Sequence, residues 1–113
     1  DFGDMVKSFL INEIAISLSY LLTKKNNPIQ WVIPFIKTYH KIIKLKVLEI
    51  DILYYLIAAR LCTTISKSSF HKKDAPKDEY ISVSKEDAML LLKKWLTINP
   101  IFLIFVLEYI ILC

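Results

Sequence analysis

Glycine is almost absent from this sequence. Gly3 is the only glycine among 113 residues, where a chain of average composition would carry roughly eight. This scarcity excludes a glycine-rich phosphate-binding loop and a dinucleotide-binding fingerprint within these residues, because both need several glycines at fixed spacing. It also disfavours an all-β fold with many tight turns. The length is enough for one domain and not for two.

Cysteine and arginine are scarce as well. The two cysteines, Cys62 and Cys113, cannot form a disulfide framework and fit a reducing compartment. Because no signal-peptide pattern is present either, we expect a cytoplasmic protein. The net charge of +4 comes from 14 lysines and one arginine against 11 acidic residues. The lysines are scattered, without an arginine-rich run or interleaved aromatic residues, so we expect no nucleic-acid partner.

Apolar residues are abundant, at 55% of the chain, which excludes disorder over most of its length. Their spacing predicts four helices, over about residues 5–22, 29–43, 47–69 and 84–98, with an exposed loop before the fourth. Ser84 and Asp87 have the spacing of a capping box. The predicted buried faces comprise Leu10, Ile14, Leu18 and Leu21; Trp31, Phe35 and Tyr39; Leu48, Ile52, Tyr55, Ala59 and Cys62, widened by Leu53, Leu56, Ile57 and Leu61; and Met89, Leu92 and Leu96.

The last residues form an apolar tail. Residues 101–113 contain a single charge, Glu108. Since a bilayer span needs about 20 apolar residues, this tail is too short to cross a membrane. We therefore predict a buried terminal helix and no membrane partner.

The start of the chain carries a motif. Asp1-Phe2-Gly3-Asp4 is followed almost at once by an amphipathic segment containing Asn12-Glu13-Ile14-Ala15. This arrangement resembles the aminoglycoside phosphotransferase-like family of small-molecule kinases, in which an Asp-Phe-Gly turn leads promptly into a helix. The chain is most similar to the hydroxylysine kinase branch, a resemblance that also rests on Asn27-Pro28-Ile29, Ala59-Arg60-Leu61-Cys62 and Asp78-Glu79-Tyr80-Ile81-Ser82-Val83-Ser84.

The resemblance implies a fold and an activity. The fold would be mainly α, the helical C-terminal part of a protein-kinase-like lobe with four to five helices. Residues 1–99 would belong to this phosphotransferase domain, whereas residues 100–113 depart from the family pattern, as a frameshift would cause. The parent enzyme would transfer the γ-phosphate of GTP or ATP to a hydroxylated, hydroxylysine-like small molecule. It would either stand alone or be fused to a class III aminotransferase.

Five residues are candidates for the site: the resemblance assigns roles to Asp1 and Gly3, and the chemistry of the residues themselves suggests roles for Asp4, Glu13 and Arg60. Asp1 would bind Mg²⁺, a cation that prefers carboxylate oxygens, and Gly3 would allow the tight turn that aims it. Asp4 would cap the first helix or assist the metal ligand, and Glu13 would have a structural role. Arg60 would form a buried ion pair with Glu13 or Asp4, or contact a substrate carboxylate or phosphate. The nucleotide loop, its lysine and the catalytic loop are missing from these residues, so no catalytic residue is assigned and the chain alone is expected to be inactive.

Two alternatives stay open. One is a non-catalytic α-helical interaction module, because most of a kinase active site is missing from these residues. The other is a small membrane-associated helical protein, favoured by the positive mean hydropathy of +0.44. His40 and His71 lack metal-ligand spacing and are interpreted as surface residues, and Cys62 as a small core residue.

Overall fold

The computed structural model describes residues 2–71 and 85–112, with side chains for residues 10–69 and 85–112. Over these ranges the chain forms α-helices and no strand, which confirms the predicted mainly α fold. The helices are α1 (Phe2–Leu21), α2 (Ile29–Ile42), α3 (Val47–His71), α4 (Lys85–Thr97) and α5 (Pro100–Leu112). The predicted loop after His71 and the Ser84 capping box lie outside the described residues.

The long helix α3 is the centre of the fold. It packs against α1, α4 and α5, while α2 packs against α5. One hydrophobic cluster takes residues from all five helices, and burial of each large apolar side chain contributes about 1.5–3 kcal/mol. Its buried members are Ile11, Ile14, Ala15, Leu18, Leu22, Val32, Ile36, Leu45, Ile50, Leu53, Tyr54, Ile57, Leu61, Ala88, Leu91, Trp95, Leu103 and Leu107.

Helix α1 buries the predicted face, and the turn that follows it contains a residue in the left-handed conformation. Ile14 and Leu18 are fully buried, as the four-residue spacing predicts. After Leu21 the chain turns at Lys24, whose φ of 67° is a conformation that glycine adopts at lowest cost. The turn is tied to α4, because the Lys94 ammonium donates a hydrogen bond to the carbonyl of Lys25 at 3.3 Å.

The predicted buried face of α2 was wrong at Trp31. This ring is 42% exposed, whereas Val32 and Ile36 are buried. The Lys25 ammonium lies 4.4 Å from the centroid of the Trp31 ring, so a cation–π contact stabilises the indole at the surface. Pro34 lies inside the helix and not in its first turn.

The predicted buried face of α3 was right for Leu53, Ile57 and Leu61, which are buried, and wrong for its main stripe. Its members Leu48, Ile52, Tyr55, Ala59 and Cys62 are all exposed. The side that packs against α1, α4 and α5 instead presents Ile50, Leu53, Tyr54, Ile57 and Leu61. Both stripes have helical spacing, so periodicity alone could not choose between them. We call the exposed set the outer stripe of α3.

The predicted face of α4 was also wrong. Met89 and Leu96 are exposed and Leu92 is half-buried, whereas Ala88, Leu91 and Trp95 are buried. The buried set is the predicted one moved by a single residue, which rotates the face by about 100°. The buried set includes Trp95, whose ring stacks on Tyr54 of α3.

Tyr54 and Trp95 bind each other reciprocally. Their rings stack with centroids 5.2 Å apart and an interplanar angle of 21°. The Trp95 indole Nε1–H donates to the Tyr54 carbonyl at 3.0 Å. The single proton of the Tyr54 hydroxyl is directed between the carbonyls of Trp95 and Ile98, at 3.1 and 3.2 Å. This hydroxyl therefore satisfies carbonyls at the C-terminal end of α4. Burial, and secondarily the nearby Tyr55, raise the pKa of Tyr54.

Helix α5 packs as part of the core on one side only. Asn99 caps it, because its side-chain oxygen accepts hydrogen bonds from the backbone N–H groups of Ile101 and Phe102 at 2.9 and 3.4 Å. Leu103 and Leu107 are buried against the other helices. The prediction of a buried terminal helix therefore holds for this side and is wrong for the opposite side.

No single described helix is both long enough and apolar enough to cross a membrane. Helices α4 and α5 reach the required length and composition only when taken together, and they meet at a bend of 83°.

Candidate functional site

The Asp-Phe-Gly segment leads directly into α1, which begins at Phe2. Gly3 and Asp4 therefore lie inside the first helical turn. The predicted tight turn at Gly3 and the predicted N-cap at Asp4 are wrong, because the helix begins before both residues. Asp1 lies outside the described residues, so its metal-binding role stays a prediction.

Arg60 is half-buried in the middle of α3. Its Nε atom is buried and has no hydrogen-bond partner. The predicted ion pair with Glu13 is wrong, because Glu13 is exposed on α1 and Lys24–Asp87 is the ion pair that the described residues form. The side chain of Asp4 lies outside the described residues, so pairing with Asp4 stays a prediction. Arg60 thus keeps an unsatisfied donor, which is unusual for a buried polar atom.

A complete metal site is not found in the described part of the chain. No group of three or more His, Cys, Asp or Glu side chains comes together there. A carboxylate such as that of Asp1 suits Mg²⁺, which is usually held by one or two carboxylates together with substrate phosphates. The remaining ligands of such a site would come from beyond the described residues.

Two carboxyl groups meet between α3 and α5. Asp51 and Glu108 are both half-buried. A side-chain hydrogen bond with Asp51 is the main cause that raises the pKa of Glu108 above its ordinary value of 4.5, followed by desolvation and the charge of Asp51. Since two ionised carboxylates repel each other, the contact is most favourable when one of them carries a proton.

Acidification should therefore strengthen the contact between α3 and α5. The raised pKa of Glu108 means that the folded chain holds this proton more tightly than the unfolded chain. The stabilisation that this proton gives to the folded chain is fully present below the ordinary pKa of Glu108 and is lost as the pH rises through the raised pKa. We expect Asp51→Asn to raise the melting temperature at pH 7 and to raise it less at about pH 4.

Thermal unfolding followed by circular dichroism at the two pH values measures this difference. Glu86→Gln is the matched control, because Glu86 is exposed in the first turn of α4. An equal effect of Asp51→Asn at both pH values would show that the two carboxyl groups do not share a proton.

A basic cleft lies between α2 and the end of α5. It has a volume of about 370 Å³ and is lined by Lys37, His40, Lys41 and Lys44 together with Ile110, Ile111 and Leu112. The lining contains no acidic residue. His40 Nδ1 accepts a hydrogen bond from the backbone N–H of Leu45 at 2.9 Å, which fixes the segment that follows α2.

The sequence contained a signal for this cleft. Positions 37, 40 and 41 are spaced i, i+3 and i+4, which places them on one face of α2, and Lys44 follows two residues after the helix ends. The prediction that His40 is a surface residue without a metal role did not use its spacing to these lysines. The apolar half of the lining could not be found in the same way, because it depends on how α5 docks against α2.

The chain is distantly similar to hydroxylysine kinase. A curated hydroxylysine kinase from Danio rerio is 24% identical to it over 90 residues, which are 79% of this chain and 25% of that protein. The chain therefore spans about a quarter of the length of this curated relative. No protein-family profile matches the chain. No solved structure matches it either.

This similarity supports a kinase relationship at a coarse level. It agrees with the branch that the sequence motifs resemble. The similarity assigns neither a substrate to this chain nor a role to any of its residues.

Proposed function

We propose that this chain is the C-terminal helical part of a small-molecule kinase that acts on a hydroxylysine-like substrate. The observation that carries the proposal is the similarity to hydroxylysine kinase over most of the chain. The parent enzyme would move the γ-phosphate of GTP or ATP to a substrate hydroxyl. The bond between the β,γ-bridging oxygen and the γ-phosphorus would break, a bond from the hydroxyl oxygen to that phosphorus would form, the hydroxyl proton would pass to a base in the catalytic loop of the parent enzyme, and the nucleoside diphosphate would leave.

The outer stripe of α3 supports a role within a larger domain. Leu48 is 70% exposed and Tyr55 is 57% exposed, although they lie on the central helix of the fold. Contiguous exposed apolar side chains of this kind mark surfaces that contact other protein. In the proposed enzyme, the rest of the lobe covers this stripe.

Asp1 and Arg60 are the residues of this chain with proposed roles at the site. Asp1 would hold Mg²⁺, which neutralises charge on the nucleotide phosphates. Arg60 would use its guanidinium to orient an anionic group, such as a phosphate or a substrate carboxylate. Phosphoryl transfer needs mainly positioning and charge stabilisation, so residues that position these groups contribute directly to the rate.

The isolated 113-residue chain should not transfer phosphate. It lacks the nucleotide-covering loop, its lysine and the catalytic loop, and one carboxylate cannot replace them. A radiolabelled transfer assay with GTP or ATP and hydroxylysine, run on this chain and on the full-length parent, measures the difference. We expect turnover from the parent alone. Turnover by the isolated chain well above a heat-inactivated control would contradict the proposal.

The alternative of a non-catalytic interaction module is favoured by the same outer stripe, since such a module would also expose an apolar face. The assay on the parent separates the two functions. An interaction module predicts no nucleotide-dependent transfer to any hydroxylated amine, whatever covers α3.

A further inference from the structure

One face of α5 is apolar and open to water. Ile101, Phe102, Phe105, Tyr109 and Leu112 are between 58% and 75% exposed. At about 100° per residue they fall within an arc of about 100°, directly opposite the buried Leu103 and Leu107. We call these five residues the outer face of α5. A helix that is apolar on both sides is not explained by the core that it covers.

The outer face of α5 ends beside the basic cleft. Leu112 belongs to both, because it lines the cleft together with Lys37 and Lys41 of α2 and with Lys44, which follows that helix. These three lysines are exposed. The surface therefore combines an apolar helix with a group of cations at one end.

We propose that α5 and the lysines of the cleft bind an anionic lipid surface. An apolar helical face next to exposed lysines is the chemistry of a helix that lies in the plane of a membrane interface. The apolar side chains enter the boundary between headgroups and acyl chains, and the ammonium groups pair with anionic headgroups. This inference does not depend on the proposed kinase function.

The geometry favours lying on the membrane over crossing it. Helix α5 has 13 residues, fewer than the roughly 20 that a span requires. The bend of 83° between α4 and α5 prevents the two from acting as one straight span. The expectation of no membrane partner rested on the length of the tail, and length excludes a span without excluding binding at the interface.

Charge argues against a second copy that docks with its cleft end beside that of the first. The chain has a net charge of +4. If two outer faces of α5 met with their ends adjacent, the lysine groups would lie close together and repel each other. An anionic lipid surface would bury the apolar residues and pair with the positive charge of the lysines.

Vesicle sedimentation with the whole 113-residue chain tests the proposal. One set of vesicles is pure phosphatidylcholine, and in the other about a third of the lipid is phosphatidylserine. We expect binding to the anionic vesicles to be at least tenfold tighter, and to weaken as salt is added because salt screens the lysines. Equal binding to both sets, or no binding to either, would contradict the proposal.

Matched variants locate the surface. Lys37→Glu with Lys41→Glu should weaken binding to anionic vesicles at least tenfold, whereas Lys67→Glu with Lys93→Glu, which changes the net charge equally at other exposed sites, should change it less than about threefold. Equal losses from the two pairs would mean that net charge alone drives binding and would overturn the proposed surface.

The apolar half is tested with a second pair. Phe105→Ser should weaken binding about tenfold, and Leu90→Ser, at an exposed apolar position of α4, should have little effect. Far-UV circular dichroism checks that both variants stay helical. If ultracentrifugation shows a dimer that Phe105→Ser dissociates while vesicle binding is unchanged, the occupant is a second copy and the lipid proposal is wrong.

Discussion

Trp95→Ala should remove a large share of the stability of this chain. The Trp95 side chain is 0% exposed, stacks on Tyr54 at 5.2 Å and donates a hydrogen bond to the Tyr54 carbonyl at 3.0 Å. Replacement of a buried tryptophan by alanine costs about 3–5 kcal/mol. Domains of this size have a free energy of unfolding of about 5–15 kcal/mol. The loss separates α4 from the central helix, so we expect a large fall in the urea midpoint.

Trp31→Ala is the matched control. Trp31 is 42% exposed, and its recorded ring contact is with the Lys25 ammonium at 4.4 Å. We expect Trp31→Ala to lower the free energy of unfolding by about 1 kcal/mol or less, the value of an exposed cation–π contact. Urea unfolding followed by far-UV circular dichroism compares the two variants without relying on tryptophan fluorescence. Equal costs for the two substitutions would show that α3 and α4 do not pack through Trp95.

Asp1→Ala in the full-length parent should abolish most of kcat. If Asp1 holds the Mg²⁺ that neutralises phosphate charge in the transition state, removal of its carboxylate should lower kcat by about 100-fold or more. The matched control is Glu86→Gln, which changes one acidic residue on the exposed surface of α4. A variant within about threefold of wild type would refute the metal-binding role of Asp1.

A magnesium titration separates a metal role from a structural one. If Asp1 binds the metal, the alanine variant should need a higher Mg²⁺ concentration to reach half of its maximal rate. If the aspartate only supports the fold, the variant should lose thermal stability with an unchanged magnesium dependence.

The helices and the buried face of α1 could be predicted from the sequence, whereas the buried faces of α2, α3 and α4 could not be predicted in full. Helix ends were found to within about three residues, because Asn27-Pro28 and Asn99-Pro100 interrupt the apolar runs and polar residues follow α1 and α3. Which face is buried depends on neighbouring helices. On α3, both Leu53-Ile57-Leu61 and Leu48-Ile52-Tyr55 have the spacing of a buried stripe, and only the docking of α1, α4 and α5 decides between them.

The candidate site could be predicted only as far as its residue types. The carboxylate of Asp1 and the guanidinium of Arg60 were recognised from a motif and from a lone arginine in an apolar helix. Their geometry could not follow, since it depends on partners that are distant in sequence, as the exposed Glu13 and the unpaired Nε of Arg60 illustrate. The raised pKa of Glu108 likewise depends on the packing of α5 against α3, which brings Asp51 beside it.

The coding sequence upstream of the Asp1 codon tests the central claim most directly. If this chain is the C-terminal part of a small-molecule kinase, the reading frame continues upstream and encodes a catalytic loop in which His-Gly-Asp is followed by Asn, and before it a lysine-bearing strand that contacts the nucleotide phosphates. A start codon immediately before Asp1, with no such loop in frame, would contradict the assignment.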